Sequence, residues 1–495
     1  MAVQQPLDAI IVGAGFSGIC LGVRLVRAGI QSFVILEKNA GVGGCWHDND
    51  YPGAACDVPS LLYSYSFAPK HDWSRVFSPR EEIRRYLEDC ADRFGVRPHV
   101  RLNTEVISAT YQAERSVWRV QTGTDVLEAR VFVSAVGQLS RPKLPDIPGL
   151  AAFTGRAFHS ARFEKDAPIA GADVALVGSG ASAIQIAPAI ASRVKSLTIF
   201  QRSPTWIVPK ADRPFEANEK RWFARLPLIP KYIRYRTYWT FEKTYARIQL
   251  GTPEAAEFRA QCDAFIDASV ADPVLREKVR PDHAPSCKRV LKSNDWFPTL
   301  QHPNVRLETG GIERITERAI VTRDGVSYPA DTIVFATGFE STRFIQPMAV
   351  IGLAGERLDQ KWADGASAYW GIAVPGFPNF FMMYGPNTNA HNSIIFLIEA
   401  QARYIAAMIR HVHGGRFAAA DLKPDVMAKF DVQTQQRTKR FVWADHCGSW
   451  YKTASGRITN NLPYSTFTYF RRTWRPDLAD FEIKRATAGV QEAAA

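Results

Sequence analysis

The chain has 495 residues, 46% hydrophobic and 22% charged, which excludes a disordered or fibrous protein and predicts roughly three domains at about 150 residues each. No apolar run reaches the ~18 residues that a transmembrane segment needs, and the N-terminus lacks the basic region of a secretory signal. The net charge of +12 comes from Lys and Arg residues spread along the chain, which predicts a solvated positive surface and no nucleic-acid binding.

The chain opens with the pattern of a strand, a glycine-rich turn, a helix and a second strand. The first strand, at 8–13, leads into the turn Gly13-Ala-Gly15-Phe-Ser-Gly18. In a dinucleotide-binding fold Gly13 permits the turn, Gly15 lets the backbone approach a pyrophosphate, and Gly18 lets helix and strand pack closely. Glu37 lies nineteen positions after Gly18, where an acid binds a ribose 2′-hydroxyl. This unit is therefore predicted to bind an FAD-like or NAD-like ligand.

A second unit of the same kind begins with a strand at 173–178. Its turn has the G-x-G-x-x-A form, with Gly178, Gly180 and Ala183, and its second strand ends at Arg202. Arg202 lies nineteen positions after Ala183, so the second unit places an arginine where the first places an acid. An arginine at this position suits a 2′-phosphate. The second unit is therefore predicted to bind NADPH.

Two similar apolar strands, at 131–137 and 332–339, predict where the chain enters and leaves the second unit. The predicted fold is α/β, with two Rossmann-like dinucleotide-binding domains, the second inserted in the first. The FAD-binding domain comprises residues 1–140 and 336–484, the NADPH-binding domain comprises 141–335, and 485–495 form a disordered tail.

A block at about 210–290 breaks the α/β rhythm and is rich in aromatic and basic residues. It predicts a mostly helical insertion in the second domain, whose aromatic side chains form a core or cover a substrate pocket. Peripheral membrane contact through about 220–245 is the alternative for this block.

The segment 43–57 carries the most specific motif of the chain. Its sequence, with Gly43, Gly44, Trp46, a Tyr-Pro-Gly triplet and Asp57, fits the pattern G-G-x-W-x4-[FY]-P-G-x3-D. The chain thereby resembles the flavin-dependent monooxygenases, and most closely their type I Baeyer–Villiger branch. The resemblance covers nearly the whole chain, includes both glycine-rich turns and the segments 336–338 and 385–388, and is weakest after about residue 415.

The resemblance implies a reaction that uses FAD, NADPH and O2. NADPH reduces FAD, the reduced flavin and O2 form a C4a-peroxyflavin, and this attacks a small-molecule ketone to give an ester or lactone. A fixed cation would stabilise the peroxide anion, and arginine suits this role because it does not lose its proton in proteins. The segment 287–296 resembles the family's Lys-Arg segment, so Arg289 and Asp57 are the predicted catalytic residues, with Asp57 orienting Arg289.

A second family motif, F-x-G-x3-H, is less complete. Phe153, Gly155 and His159 fit it, while Phe163 and Glu164 stand where the Baeyer–Villiger enzymes usually have Trp and then Pro or Asp. The resemblance implies that this motif links the two domains.

The predicted cofactor-binding residues extend both turns and the motifs around them, and no metal site is predicted. They are Gly13, Gly15, Phe16, Ser17, Gly18, Glu37, Lys38, Gly44, Cys45, Trp46, Asp57, Tyr63, Val106, Gly178, Ser179, Gly180, Ser182, Ala183, Arg202, Ser203, Lys288, Thr337, Gly338 and Asn387.

The sequence leaves three alternatives open. An N- or S-oxygenating flavin-containing monooxygenase would need no pair of Arg289 and Asp57, although Phe163 and Glu164 suit it. An NADPH-dependent flavoprotein reductase of the disulfide-reductase type would need a redox cysteine pair, whereas the seven cysteines are irregularly spaced and include no Cys-x-x-Cys. This cysteine pattern also predicts a reducing, cytoplasmic location. A binding-only flavoprotein would lack Arg289.

Overall fold

The computed structural model describes residues 5–445, 448–449 and 451–486. The predicted tail at 485–495 therefore lies outside the described residues from 487 onward. The first ten strands are β1 (Leu7–Val12), β2 (Phe33–Leu36), β3 (Val100–Arg101), β4 (Val106–Gln112), β5 (Val117–Thr122), β6 (Val126–Ser134), β7 (Arg156–His159), β8 (Asp173–Val177), β9 (Ser196–Phe200) and β10 (Ile207–Val208). The next ten are β11 (Leu291–Lys292), β12 (Val305–Glu308), β13 (Ile312–Ile315), β14 (Ala319–Thr322), β15 (Ser327–Pro329), β16 (Thr332–Phe335), β17 (Ala349–Ile351), β18 (Phe380–Met382), β19 (Ala419–Leu422) and β20 (Phe481–Lys484).

The α-helices divide into those of the two α/β units and those of the block between β10 and β11. They are α1 (Phe16–Arg27), α2 (Cys45–Asp48), α3 (Arg80–Arg93), α4 (Ala183–Ile190), α5 (Ala217–Arg225), α6 (Leu228–Lys243), α7 (Pro253–Ser269), α8 (Pro273–Val279), α9 (Trp296–Leu300), α10 (Leu358–Lys361), α11 (Ile394–His413), α12 (Pro424–Thr438) and α13 (Thr466–Arg472). Within the described residues, no helix is both long enough and apolar enough to cross a bilayer.

The first sheet has the strand order β17-β4-β5-β6-β1-β2-β3, and β18 also pairs with β6. The strands β3, β2, β1 and β6 run parallel, whereas β4, β5 and β6 form an antiparallel meander. β1 is apolar along most of its length, as a strand needs to be when both of its faces are buried. The helices α1 and α11 pack together against one of these faces. The glycine-rich turn follows β1 at the carboxyl edge of the sheet, where the strand order reverses and such folds bind their ligands.

The second sheet is entirely parallel and has the order β12-β9-β8-β16-β7. Its strands all lie between residues 156 and 335, so they interrupt the chain between β6 and β17 of the first sheet. The neighbours of β8 are β9 and β16, just as the neighbours of β1 are β2 and β6. The two sheets therefore repeat one topology around two equivalent turns, which confirms the predicted α/β class.

The block at 210–290 is helical, as predicted, but it packs on both units and not on the second alone. α7 contributes Cys262 and Ile266 to the core beneath the second sheet. α5 instead buries Phe223 in the core of the first unit. On α6, Arg234 donates hydrogen bonds to the backbone carbonyls of Leu61, at 2.9 Å, and Ser64, at 2.8 Å. These polar contacts add to the apolar contacts of Ile229 and Ile233 with the core of the first unit. No sequence pattern indicates them, because an arginine on a helix is usually exposed to solvent.

The segment 43–57 contacts both units. The Tyr51 hydroxyl donates to Gln185 Oε1 of α4 at 3.1 Å, and Gln185 Nε2 donates to the carbonyl of Ala55 at 2.9 Å. Gly53 has a positive φ of +81°, and a Cβ there would lie only 2.5 Å from the Gln185 carbonyl oxygen. The Tyr-Pro-Gly triplet of the motif is thus a docking surface for the first helix of the second unit.

Replacing Gly53 with alanine should destabilise this interface. The variant combines the cost of a left-handed alanine, about 1 kcal/mol, with a backbone overlap that neither unit can relieve without moving. Gly171 is a matched control because its φ is +69° and a Cβ there would meet no atom within 4 Å. Thermal unfolding should show Gly53→Ala several degrees below Gly171→Ala. Equal thermal unfolding midpoints for the two variants would show that the two units are not held together at Gly53.

Candidate functional site

The first glycine-rich turn has the close packing that its sequence predicts. Gly13 has a φ of +105°, and a Cβ there would lie 2.6 Å from the Ala135 carbonyl oxygen at the end of β6. A Cβ on Gly18 would lie 2.0 Å from the Gly13 oxygen, so α1 can approach β1 only with glycine at this position. A Cβ on Gly15 would meet only Gly44, at 3.4 Å. The space above Gly15 is thus open to a ligand at the N-terminus of α1.

Glu37 is buried and has a structural role beyond the predicted ribose contact. One carboxylate oxygen accepts the Ala14 N–H at 2.8 Å, and the other accepts the Asn39 N–H at 2.9 Å. The acid therefore fixes the turn on which the phosphates would lie. Lys38, the next residue, is exposed. Val106 is buried in the core behind the sheet, so its side chain is not presented to a ligand.

Aromatic side chains line the turn on the side of the segment 43–57. The rings of Phe16 and Tyr63 meet edge to face with centroids 5.2 Å apart, and Trp46 Nε1 donates to the Tyr63 hydroxyl at 3.2 Å. Ser17 is buried in the first turn of α1. Burial raises the pKa of Cys45 to about 12, which keeps this thiol neutral and unsuited to disulfide exchange.

Asp57 and Arg289 form a bidentate ion pair between the two units. Arg289 Nη2 donates to both Asp57 oxygens, at 2.7 and 2.6 Å, and Nε donates to Oδ2 at 3.2 Å. Burial would raise the pKa of Asp57, but the charge and hydrogen bonds of Arg289 outweigh this effect and hold that pKa below its ordinary value. Asp57 in turn raises the pKa of Arg289. The pair stays fully charged at neutral pH, and 44% of the Arg289 side chain is exposed.

Three residues near this pair were not predicted. Lys292 Nζ donates to the Asp57 backbone carbonyl at 3.1 Å, and Tyr384 and Tyr451 lie close enough to Arg289 to contribute to its raised pKa. Lys292 lies within the segment 287–296, three positions after Arg289, and Tyr384 directly precedes the segment 385–388. Neither residue type by itself indicates this position, because lysines and tyrosines are common throughout the chain.

The second glycine-rich turn repeats the geometry of the first. Gly178 has a φ of +117°, and a Cβ there would lie 2.4 Å from the Ala336 carbonyl oxygen. A Cβ on Gly180 would meet no atom within 4 Å, which leaves this turn open as well. Ser182 and Ala183 begin α4, with Ala183 buried.

A positively charged site lies beside the second turn. Lys288 Nζ donates to Ser203 Oγ at 2.8 Å, and Ser179 Oγ donates to the Ser203 carbonyl at 3.2 Å. Burial lowers the pKa of Lys288, and the nearby charge of Arg202 lowers it further. Arg202 and Lys288 thus lie close enough to repel each other beside the second turn, and a phosphate dianion would relieve this repulsion.

The residues predicted to link the domains lie at the strands that join them. His159 Nδ1 accepts the Ala161 N–H at 3.1 Å, and its ring meets Phe339 edge to face at 5.6 Å. Burial lowers the pKa of His159, so the ring is neutral at pH 7. Phe163 packs on Phe158 at a ring distance of 5.1 Å. A Cβ on Gly155 would overlap a carbonyl oxygen of the neighbouring chain segment at 2.2 Å.

The remaining predicted residues lie at the return to the first unit. Thr337 Oγ1 donates to the Lys143 carbonyl at 2.5 Å, and the Gly338 carbonyl accepts the Lys143 N–H at 2.9 Å. Phe153 packs in the small core beneath β13 to β15. The Asn387 amide donates to two carbonyls of the segment 458–461, both at 3.0 Å. The side-chain N–H groups of Asn387 are thereby occupied by contacts within the protein and are not free to bind a cofactor.

Comparison with known proteins agrees with this geometry. A family model described as pyridine nucleotide-disulphide oxidoreductase matches residues 10–216, which span both glycine-rich turns. The chain is similar to a Baeyer-Villiger monooxygenase of Streptomyces coelicolor, at 42% identity over 488 residues that cover 98% of this chain and 94% of the relative. A Baeyer-Villiger monooxygenase of Pseudomonas aeruginosa is 36% identical over 477 residues, covering 96% and 90%.

A solved structure also matches along the full length. The crystal structure of OTEMO in complex with FAD and NADP has a TM-score of 0.88 at 28% identity, and the match covers 97% of this chain and 100% of that one. The disulphide oxidoreductase match is confined to the shared dinucleotide-binding scaffold, whereas the full-length relatives are monooxygenases. The chain belongs to the Baeyer–Villiger monooxygenase family of oxidoreductases.

Proposed function

We propose that this enzyme uses FAD and NADPH to insert one oxygen atom of O2 next to the carbonyl of a small-molecule ketone, giving an ester or lactone. The ion pair between Asp57 and Arg289 is the observation that carries this proposal. It joins the motif segment 43–57 to the segment that also bears Lys288. We assign residues 1–140 and 336–484 to FAD binding and residues 141–335 to NADPH binding.

The residues of both turns fit these cofactors. The opening above Gly15 and the aromatic wall of Phe16, Trp46 and Tyr63 suit the pyrophosphate and the ring system of FAD. The open turn at Gly180 and the two cations beside it suit the pyrophosphate and 2′-phosphate of NADPH. When bound, FAD supplies the reaction with O2 and NADPH supplies the hydride.

Arg289 would stabilise negative charge at the reacting oxygen. A preorganised cation stabilises such charge, and arginine keeps its proton where a lysine can lose it. The bidentate bond to Asp57 fixes the plane of the guanidinium, so the cation need not reorganise during the reaction. Lys292 holds the backbone of Asp57 and thereby supports the same geometry.

The N- or S-oxygenating alternative gains no support from the residues that depart from the family motif. Phe163 packs against Phe158, and Glu164 pairs with Arg156 at 2.9 Å. Both departures therefore have local structural partners away from the ion pair. They give no reason to prefer a heteroatom as the acceptor of oxygen.

Replacing Arg289 with alanine should separate NADPH oxidation from product formation. NADPH oxidation should continue, because hydride transfer needs no cation at the oxygen site, whereas the ester or lactone should fall by about 10²–10³ and hydrogen peroxide should take its place. Arg115 is the control, since it makes a similar bidentate pair with Glu128, at 2.7 Å for both bonds, on the surface. Product per NADPH, measured over linear, cyclic and aryl ketones and a sulfide, is the readout. Near-normal ester formation by Arg289→Ala would contradict the assigned role.

The pH dependence of the KM for NADPH should reflect Lys288. Its pKa is lowered, so the ammonium loses its proton at a lower pH than an ordinary lysine, and the affinity for the 2′-phosphate should fall as the pH rises toward that pKa. The KM for NADPH should therefore increase in the alkaline range, while the KM for NADH should not. Lys288→Met should raise the KM for NADPH and flatten its alkaline rise. A rise of equal size for NADH would rule out Lys288 as the titrating group.

A further inference from the structure

α6 exposes a stripe of large side chains along one face. Leu228, Tyr232, Tyr235 and Trp239 are 75%, 67%, 52% and 46% exposed. Their spacing of four, three and four residues places them within about 60° of one another around the helix axis, at about 100° per residue. The opposite face is packed on the first unit, where Pro230 is buried and Arg234 donates to backbone carbonyls of the segment 61–64. The stripe is thus the outward face of a helix whose inner face is firmly held.

The stripe continues onto the neighbouring helices. The rings of Trp239 and Phe467 of α13 lie 5.6 Å apart, and Phe467 is 41% exposed. Trp474, just after α13, is 53% exposed, and Trp222 of α5, a helix that contacts α6, is 55% exposed. We call the surface formed by these residues and the α6 stripe the aromatic surface. Large exposed apolar patches of this kind mark interaction sites in proteins.

Cations border the aromatic surface. On α6, Lys231 lies on one side of the stripe, and Arg236 and Lys243 lie on the other. The exposed cations of this region include Arg225, Lys231, Arg236, Lys243, Arg471, Arg472 and Arg475. In the part of the chain that the structure describes, no ion pair joins any of these seven to a carboxylate.

Acidic side chains are almost absent from the same segments. Residues 466–475 contain none, and residues 220–243 contain only Glu242. Glu242 is buried and accepts a hydrogen bond from Thr466 Oγ1 at 2.5 Å, so it does not face the aromatic surface. Among the described residues, the surface therefore combines exposed aromatic rings with exposed cations that form no ion pair.

We propose that the aromatic surface docks on an anionic lipid bilayer, with the axis of α6 in the plane of the membrane. Trp and Tyr favour the interface between water and hydrocarbon, and flanking Lys and Arg side chains are attracted to anionic headgroups. A second copy of the chain is a poor partner, because an isologous contact would bring seven cations against seven. The mode is interfacial and requires no membrane-spanning helix.

Vesicle flotation of the full-length holoenzyme tests the proposal. The protein should float with vesicles of phosphatidylcholine and phosphatidylglycerol at low salt, float much less with pure phosphatidylcholine, and be released as salt screens the charges. Failure to float with anionic vesicles at low salt would overturn the proposal. So would equal flotation with both vesicle types. Neither result bears on the oxygenation reaction, which is measured without vesicles.

Two sets of variants distinguish the insertion of aromatic side chains into the bilayer interface from attraction by charge alone. Arg225→Glu with Lys231→Glu and Arg236→Glu should weaken binding to anionic vesicles by about a hundredfold, whereas Lys429→Glu with Lys439→Glu and Arg440→Glu, the same charge change elsewhere, should weaken it far less. Unchanged NADPH oxidation in solution shows that each variant is folded.

The aromatic variants carry the second part of the test. Tyr232→Ser with Tyr235→Ser and Trp239→Ser should also lose binding by at least about tenfold. The control replaces the exposed Leu144, Val274 and Val432 with serine and should bind as the parent does. If the aromatic variant keeps full binding while the charge variant loses it, the surface is only a polyanion-binding patch and the proposed lipid docking is wrong.

Discussion

The ion pair between Asp57 and Arg289 is the contact on which the rest of the site depends. Its two members are 232 positions apart and belong to different α/β units, so the pair forms only if the units are docked in one orientation. Tyr51 and Gly53 provide that docking by seating the motif segment on α4. The same fifteen residues thus supply both the interface and the carboxylate that orients the arginine, which explains why so many positions of the motif are fixed.

The two units build their phosphate sites in the same way and differ in charge. Gly13 approaches the Ala135 carbonyl as Gly178 approaches the Ala336 carbonyl, so one backbone arrangement serves both turns. The buried Glu37 lies at the end of the second strand of the first unit, whereas Arg202 lies at the end of the second strand of the second unit. This difference in charge is the reason that we assign FAD to the first unit and NADPH to the second. Lys288 adds to the second site from a segment that also carries Arg289, so NADPH binding and the ion pair share one short stretch of chain.

Local patterns predicted the parts of the structure that depend on backbone geometry. The strand-turn-helix units and the roles of Gly13 and Gly18 follow from sterics that act within a few residues, and the sequence displays them directly. The contacts of Arg234 with the carbonyls of the segment 61–64, and of Lys292 with Asp57, could not be predicted. In both contacts a basic side chain, which is a common residue type, donates to a backbone carbonyl oxygen that is far away in the chain. The sequence could not show that the Val106 side chain is buried behind the sheet, because an apolar residue at a strand start suits a core as well as a site.

A double-mutant cycle on Asp57 and Arg289 tests the central claim most directly. The rate of ester formation would be measured at saturating NADPH for Asp57→Ala, Arg289→Ala and the double variant, with NADPH oxidation followed in parallel. If Asp57 acts through Arg289, the double variant should be no slower in ester formation than Arg289→Ala alone, because residues that act as a unit are not additive. Additive losses would mean that the two residues act independently, and would contradict the account.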